Sequence, residues 1–207
     1  MRLLTLFRLP FFAALRIALA ALLAGQWLVG MLALLAAAVV FGLGRDPVRD
    51  VPSRPLGVVS PVDGRVIACG DHRDPFLDRD AFMVRVRQGV IDPAVLHSPI
   101  EGRVEHIWGG NSMPDAATPA VAAVHVRTPE GDDVVFSLSR PWLPGPLNWK
   151  VQPGERVGQG QRRGLAGWGR VVTVYAAGNC RAEVQCGNRV HAGVDVIARL
   201  VHTGRKA

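Results

Sequence analysis

The pattern of apolar and polar positions divides the chain into two unlike parts. From residue 17 to residue 44 no side chain is charged, and the run IALAALLAGQWLVGMLALLAAAVVFGLG reads as helix. As one helix it would measure about 42 Å, against a hydrocarbon core of about 30 Å. Residues 3–16 are also largely apolar, interrupted by Arg8, Pro10 and Arg16. Two arrangements fit: a single tilted span, or a helical hairpin turning near Gly25-Gln26. Arg2, Arg8 and Arg16 lie on one side of the run and Arg45, Arg49 and Arg54 on the other. Positive charge at both ends favours the hairpin, with both ends on the cytoplasmic side. The run is too long for a cleaved signal peptide. Residues 1–44 are therefore expected to anchor the chain in the cell membrane, with the remainder on the cytoplasmic face. Residues 45–56, RDPVRDVPSRPL, form a polar linker whose arginines suit anionic lipid headgroups.

After residue 57 the period changes. Short Val-rich runs are separated by Asp-Gly, Glu-Gly, Pro-Gly and Gly-Asn pairs, the punctuation of an all-β domain. Strands are expected at 58–59, 65–68, 81–87, 102–107, 122–127, 133–138, 171–175, 181–185 and 194–200, with Pro141–Pro146 a rigid loop. Two internal echoes stand out. Ser60-Pro61-Val62-Asp63-Gly64-Arg65-Val66 recurs as Ser98-Pro99-Ile100-Glu101-Gly102-Arg103-Val104, and 151–160 (VQPGERVGQG) recurs as 184–193 (VQCGNRVHAG). The V-x-x-G-x-x-V-x-x-G spacing is that of interlocked hairpins, as in biotinyl and lipoyl carrier domains. The fold class is therefore read as mainly β: a flattened, barrel-sandwich-like domain over 57–207 behind an α-helical anchor.

Charge and cysteine count refine this only a little. The net charge is +7, and without Arg2, Arg8 and Arg16 it is about +4. With no aromatic-and-basic sheet pattern and no recognition helix, nucleic acid is excluded as a partner and a membrane surface preferred. Cys69, Cys180 and Cys186 are odd in number and lack CxxC spacing, which argues against a disulfide framework and a zinc site. Reduced thiols in a cytoplasmic compartment are expected. The histidines show no metal-ligand spacing, so no metal is assigned.

The motifs are more informative together than singly. Arg45-Asp46-Pro47-Val48-Arg49, Pro61-Val62-Asp63-Gly64, Asp92–Gly102 (DPAVLHSPIEG), Gly154-Glu155-Arg156-Val157, Gly160–Gly164 (GQRRG) and Val190–Ala198 follow in order. In this they resemble the short, membrane-anchored form of phosphatidylserine decarboxylase over most of the chain. Members of that family make their own cofactor. A Ser following Gly attacks the preceding carbonyl, and elimination breaks the chain to leave an N-terminal pyruvoyl group. That ketone then serves as the electron sink for decarboxylation. Such chemistry needs a hydroxyl nucleophile, a base and a group that orients the base.

Carried over residue by residue, the resemblance implies Asp63 as the orienter and His97 as the base. A first family His falls on Ala94. The Gly of the scissile pair falls on Gly169 and the Ser on Arg170. A guanidinium is no nucleophile and has no β-hydroxyl to eliminate. No Ser follows Ser139, Thr173 is not preceded by Gly, and Cys180 follows Asn179. The pyruvoyl group is thus expected to be absent here. Arg170 is read as a solvated surface residue, the alternative being a ligand for an anionic headgroup. Taken alone, Asp63-Gly64 is a hairpin turn pair and His97 a buried histidine.

Three classes of function come into question. A swinging-arm carrier needs a Lys at a hairpin tip, and the chain has only Lys150 and Lys206. An active decarboxylase using a non-standard maturation site is the alternative to the preferred reading. The preferred reading is a non-catalytic or impaired family member that binds membrane phospholipid, including anionic headgroups, or assembles with an active enzyme. Homo- and hetero-oligomers are both open.

Overall fold

The structure is a computed structural model that describes residues 3–43, 49, 54, 56–109, 120–140, 147–177 and 180–201. It forms two compact units, Met1–Val48 and Arg49–Ala207. The Pro141–Pro146 loop and most of the linker lie outside the described residues.

The first unit is a pair of helices, α1 (Leu3–Leu23) and α2 (Trp27–Leu43). The turn between them is closed by the Gln26 N–H donating to Ala21 O at 2.8 Å. The helices run antiparallel: the rings of Phe11 and Phe41, far apart in sequence, lie 5.9 Å apart. Small residues let them approach, and a Cβ on Gly30 would stand 2.6 Å from Leu22 Cδ2. Many large apolar side chains remain exposed, among them Leu19, Leu23, Trp27, Leu28, Leu32 and Phe41. No helix among the described residues is long and apolar enough to cross a membrane. The break at Ala24–Gln26 divides the long apolar run where the hairpin turn was expected, near Gly25-Gln26, and the alternative of a single long span is not what the chain adopts.

The second unit is mainly β. Its strands are β1 (Gly57–Val59), β2 (Gly64–Asp74), β3 (Arg79–Arg87), β4 (Val95–His97), β5 (Gly102–Gly109), β6 (Ala120–Arg127) and β7 (Asp133–Ser139). There follow β8 (Asn148–Trp149), β9 (Arg156–Val157), β10 (Arg162–Leu165), β11 (Val171–Ala177), β12 (Cys180–Ala182), β13 (Arg189–Val190) and β14 (Val196–Leu200). Eight strands form one antiparallel sheet in the order β13-β2-β3-β11-β7-β6-β5-β9. The mainly β class expected from the sequence is found, with the sheet curled into a half-barrel. Two three-stranded sheets, β1-β14-β12 and β4-β10-β8, complete the unit.

Valine alternation lines one face of the sheet with core residues. Val84, Val86, Val124, Val126, Val172 and Val174 point into one continuous core. The central strands are covered on the other face too, where Phe76, Met83, Val135 and Tyr175 form a second cluster. That cluster depends on β2 running six residues past its expected end at Ala68, to Asp74. There Asp74 Oδ1 accepts from the Phe76 N–H at 2.9 Å and sets the turn into β3. Five strands of two to four residues (β4, β8, β9, β10, β13) were not anticipated, because so few residues carry no period. The strand expected at 181–185 ends at Ala182 instead. Gln185 opens a turn, its N–H donating to Asn188 Oδ1 at 2.7 Å.

The sequence echoes are a structural pseudo-twofold. Val59 N–H donates to Pro99 O and His97 N–H to Pro61 O, at 2.8 and 2.9 Å, so the two Ser-Pro turns cross-link each other. Ser60 Oγ donates to Val62 O, and Ser98 Oγ to Ile100 O. Val66 pairs with Gly187 and Asn188 as Val104 pairs with Gly154 and Glu155. Gly64 and Gly102 fill the same role: a Cβ on either would lie 2.3 Å from a backbone oxygen, of Arg87 and Arg127 respectively. No side chain fits where two backbones approach that closely.

Candidate functional site

The Ser60–Gly64 turn carries Asp63 into the interior, where it is 3% exposed. A carboxylate so placed needs partners. Arg49 Nη1 lies 2.8 Å from Asp63 Oδ1, and the Ala192 N–H donates to the same oxygen at 3.3 Å. Arg49 also donates to Ala192 O at 3.3 Å. The arginine of the linker motif, the acid of the first turn and the closing Ala192-Gly193 turn thus form one knot.

His97 ends β4, its place fixed by the N–H bond to Pro61 and by pairing with Arg162 on β10. It is buried, and a Cβ on Gly193 would come within 3.3 Å of its Cδ2. Asp63 and His97 therefore meet the same short turn. They do not bond to each other among the described contacts: Asp63 is held by Arg49, and His97 Nδ1 is buried without a hydrogen-bond partner. Burial pushes the His97 pKa down to about 4, and Arg162 and Arg49 add repulsion in the same direction. The imidazole is neutral at physiological pH. The histidine expected to act as base is thus a neutral, buried imidazole, and among the described contacts it makes no bond to Asp63.

Arg170 stands at the entrance to β11 after Gly169, whose φ is 65°. The expectation of a solvated side chain is corrected here, because Arg170 is 3% exposed. Its Nη1 donates to Ser139 O at 2.7 Å, and its Nε is buried without a partner. No carboxylate faces it in the described contacts, and burial lowers its pKa. Its backbone is equally engaged: Arg170 O accepts from the Gln88 N–H at 2.8 Å, and the Val171 N–H donates to Ser139 Oγ at 3.0 Å. The side chain is buried because β11 is a central strand, flanked by β3 and β7.

The other expected positions fall into place around these. Ala94 is buried and offers only its carbonyl, which accepts from the Ala166 N–H. Glu101, the counterpart of Asp63, is exposed. Sequence reasoning did not anticipate that Arg49 would partner Asp63, or that Ser139 would lie beside the Arg170–Val171 peptide. The ordered family motifs were a signal for Arg49. Ser139 had none, since only the β7–β11 pairing brings it there.

Comparison with known proteins gives concordant results. The family model described as phosphatidylserine decarboxylase matches residues 38–198. A phosphatidylserine decarboxylase proenzyme of Aromatoleum aromaticum is 33% identical over 163 residues, covering 75% of this chain and 76% of its own. One of Nitrosomonas europaea is 32% identical over 200 residues, 92% of each chain. One of Nitrosomonas eutropha is 30% identical over 181 residues, 84% of this chain and 81% of its own.

Proposed function

Because the chain belongs to the phosphatidylserine decarboxylase family, we propose that it is a membrane-anchored member that keeps the family scaffold without maturing to a pyruvoyl enzyme. On this reading it is non-catalytic, or strongly impaired, in converting phosphatidylserine to phosphatidylethanolamine. The observation that carries the proposal is Arg170. The resemblance aligns it with the family's maturing Ser, and it is a buried guanidinium tied to Ser139 O.

The chemistry of this position supports the absence of a pyruvoyl group. Such a group forms from the residue that follows the broken bond, and it needs a β-hydroxyl that can be acylated and then eliminated. Arg170 has none. The hydroxyl beside it, Ser139 Oγ, accepts from the Val171 N–H and donates to Arg140 O at 3.2 Å. It belongs to another strand. An ester formed on it would leave Val171 at the new N-terminus, with nothing to eliminate. The ion pair with Arg49 further diverts Asp63 from His97.

The anchor is the α1–α2 pair, whose exposed leucines, Trp27 and Phe41 suit a hydrocarbon environment. It enters the cell membrane from the cytoplasmic face as a hairpin, with the β unit on that face near anionic headgroups. The functions left to such a protein are phospholipid binding and assembly with an active enzyme of its family.

Intact mass of the full-length, detergent-solubilised protein tests the proposal. One species near 22.2 kDa is the expected result. Two fragments, the smaller with a blocked N-terminus, overturn it in favour of non-standard maturation. Retention in the membrane fraction after alkaline extraction is expected of the anchor, and release into the supernatant refutes it.

A further inference from the structure

The two cysteines at positions 69 and 186 are 117 residues apart in sequence, yet their sulfurs lie 3.8 Å apart. Local structure brings them there. Cys69 lies on β2 just past the bulge between Val66 and Ala68. Cys186 sits in the tight turn before β13. That turn is stapled to β2 from both sides, the Gly187 N–H donating to Val66 O and the Val66 N–H to Asn188 O. Cys186 is exposed and Cys69 half-buried.

The pseudo-twofold supplies an internal control. Ile107 and Pro153 stand where the echo places the counterparts of Cys69 and Cys186. The fold therefore builds the same turn-on-strand contact without sulfur, and nothing about packing demands two thiols in one half.

We propose that Cys69 and Cys186 are a redox modification site that closes reversibly to a disulfide. Its oxidant is a low-molecular-weight disulfide of the glutathione type. The exposed Cys186 thiolate attacks one sulfur of that disulfide, forming a mixed disulfide and releasing one thiolate. The Cys69 thiolate then attacks Cys186 Sγ, the protein S–S bond forms, and the second small thiolate leaves. Two protein thiols lose two protons and two electrons, and one small disulfide becomes two thiols. The sulfurs must close from 3.8 Å to about 2.05 Å, a movement within reach of rotation at the turn. Burial, reinforced by the Cys186 contact, raises the Cys69 pKa and so lowers its thiolate fraction, which leaves the exposed Cys186 to make the first attack. Cys180 takes no part: burial pushes its thiol up to about 11. The closed bond ties the turn before β13 to β2 and encloses β3–β12, including the Arg170 segment.

Full-length protein in detergent, incubated with oxidised glutathione, tests this. Expected are the loss of two hydrogens by intact mass, a peptide joining Cys69 to Cys186, and a thermal midpoint raised by roughly 5 °C and reversed by dithiothreitol. Cys186→Ser and Cys69→Ser each abolish all three changes, while Cys180→Ser leaves them intact. A glutathione adduct that persists on Cys186, or a crosslink through Cys180, overturns the proposal.

Discussion

The two halves of the β unit share one backbone and differ in what they place on it. Ser60–Val66 and Ser98–Val104 make the same turn, use the same serine-to-carbonyl bond and return a valine to the same core. Even the surface repeats: Arg65 pairs with Arg87 and Arg189 across strands, and Arg103 with Arg127 and Arg156. Besides the cysteine pair, two differences bear on the candidate site. Asp63 is buried in an ion pair, whereas Glu101 is exposed. His97 is a buried, neutral imidazole, whereas its counterpart Val59 is a fully buried aliphatic side chain. A repeated turn gives stability cheaply, and the polar residues are set where the repetition is broken.

The largest effects should come from the shared glycines. A Cβ on Gly64 or Gly102 meets a backbone oxygen that cannot move without its strand. Gly64→Ala and Gly102→Ala should each destabilise by roughly 3 kcal/mol in chemical denaturation, a cost in the upper range of overpacking. The two costs should be similar, and a tolerated substitution at either site would break the symmetry.

The His97 contrast should appear next, as a pH dependence. Its folded pKa of about 4 lies below the unfolded value of 6.5, so the unfolded chain takes the proton first. Its contribution is therefore complete above pH 6.5 and lost as pH falls towards 4, by roughly 3 kcal/mol in all. Denaturation midpoints measured across this window should flatten in His97→Gln. An unchanged slope would mean that His97 is not the titrating group.

A smaller difference is expected for the acids. Arg49→Met leaves Asp63 buried beside a single N–H donor and should cost about 2 kcal/mol, moderated by the partial exposure of Arg49. Glu101→Gln should change stability by less than about 0.5 kcal/mol. Equal costs would mean that the Arg49–Asp63 pair is no more than a solvated contact.

The sequence by itself determined the β character of the second unit, the long strands with their valine alternation, the two echoes and the ordered family motifs. It also determined that residue 170 carries no hydroxyl. These are local properties: strand period, turn residues and side-chain chemistry are written position by position. Only the tertiary structure decided the rest. Short strands such as β9 and β13 exist because a distant partner pairs with them. Arg170 is buried because β11 lies between β3 and β7, although a lone arginine reads as a surface residue. Asp63 pairs with Arg49 rather than, among the described contacts, with His97, and Cys69 meets Cys186, because folding joins residues whose separation in sequence carries no pairwise signal. The apolar N-terminal run was legible in the same local way: the hairpin turn expected near Gly25-Gln26 is the break at Ala24–Gln26 between the two helices, and only the close approach of Gly30 to Leu22 needed the folded pair.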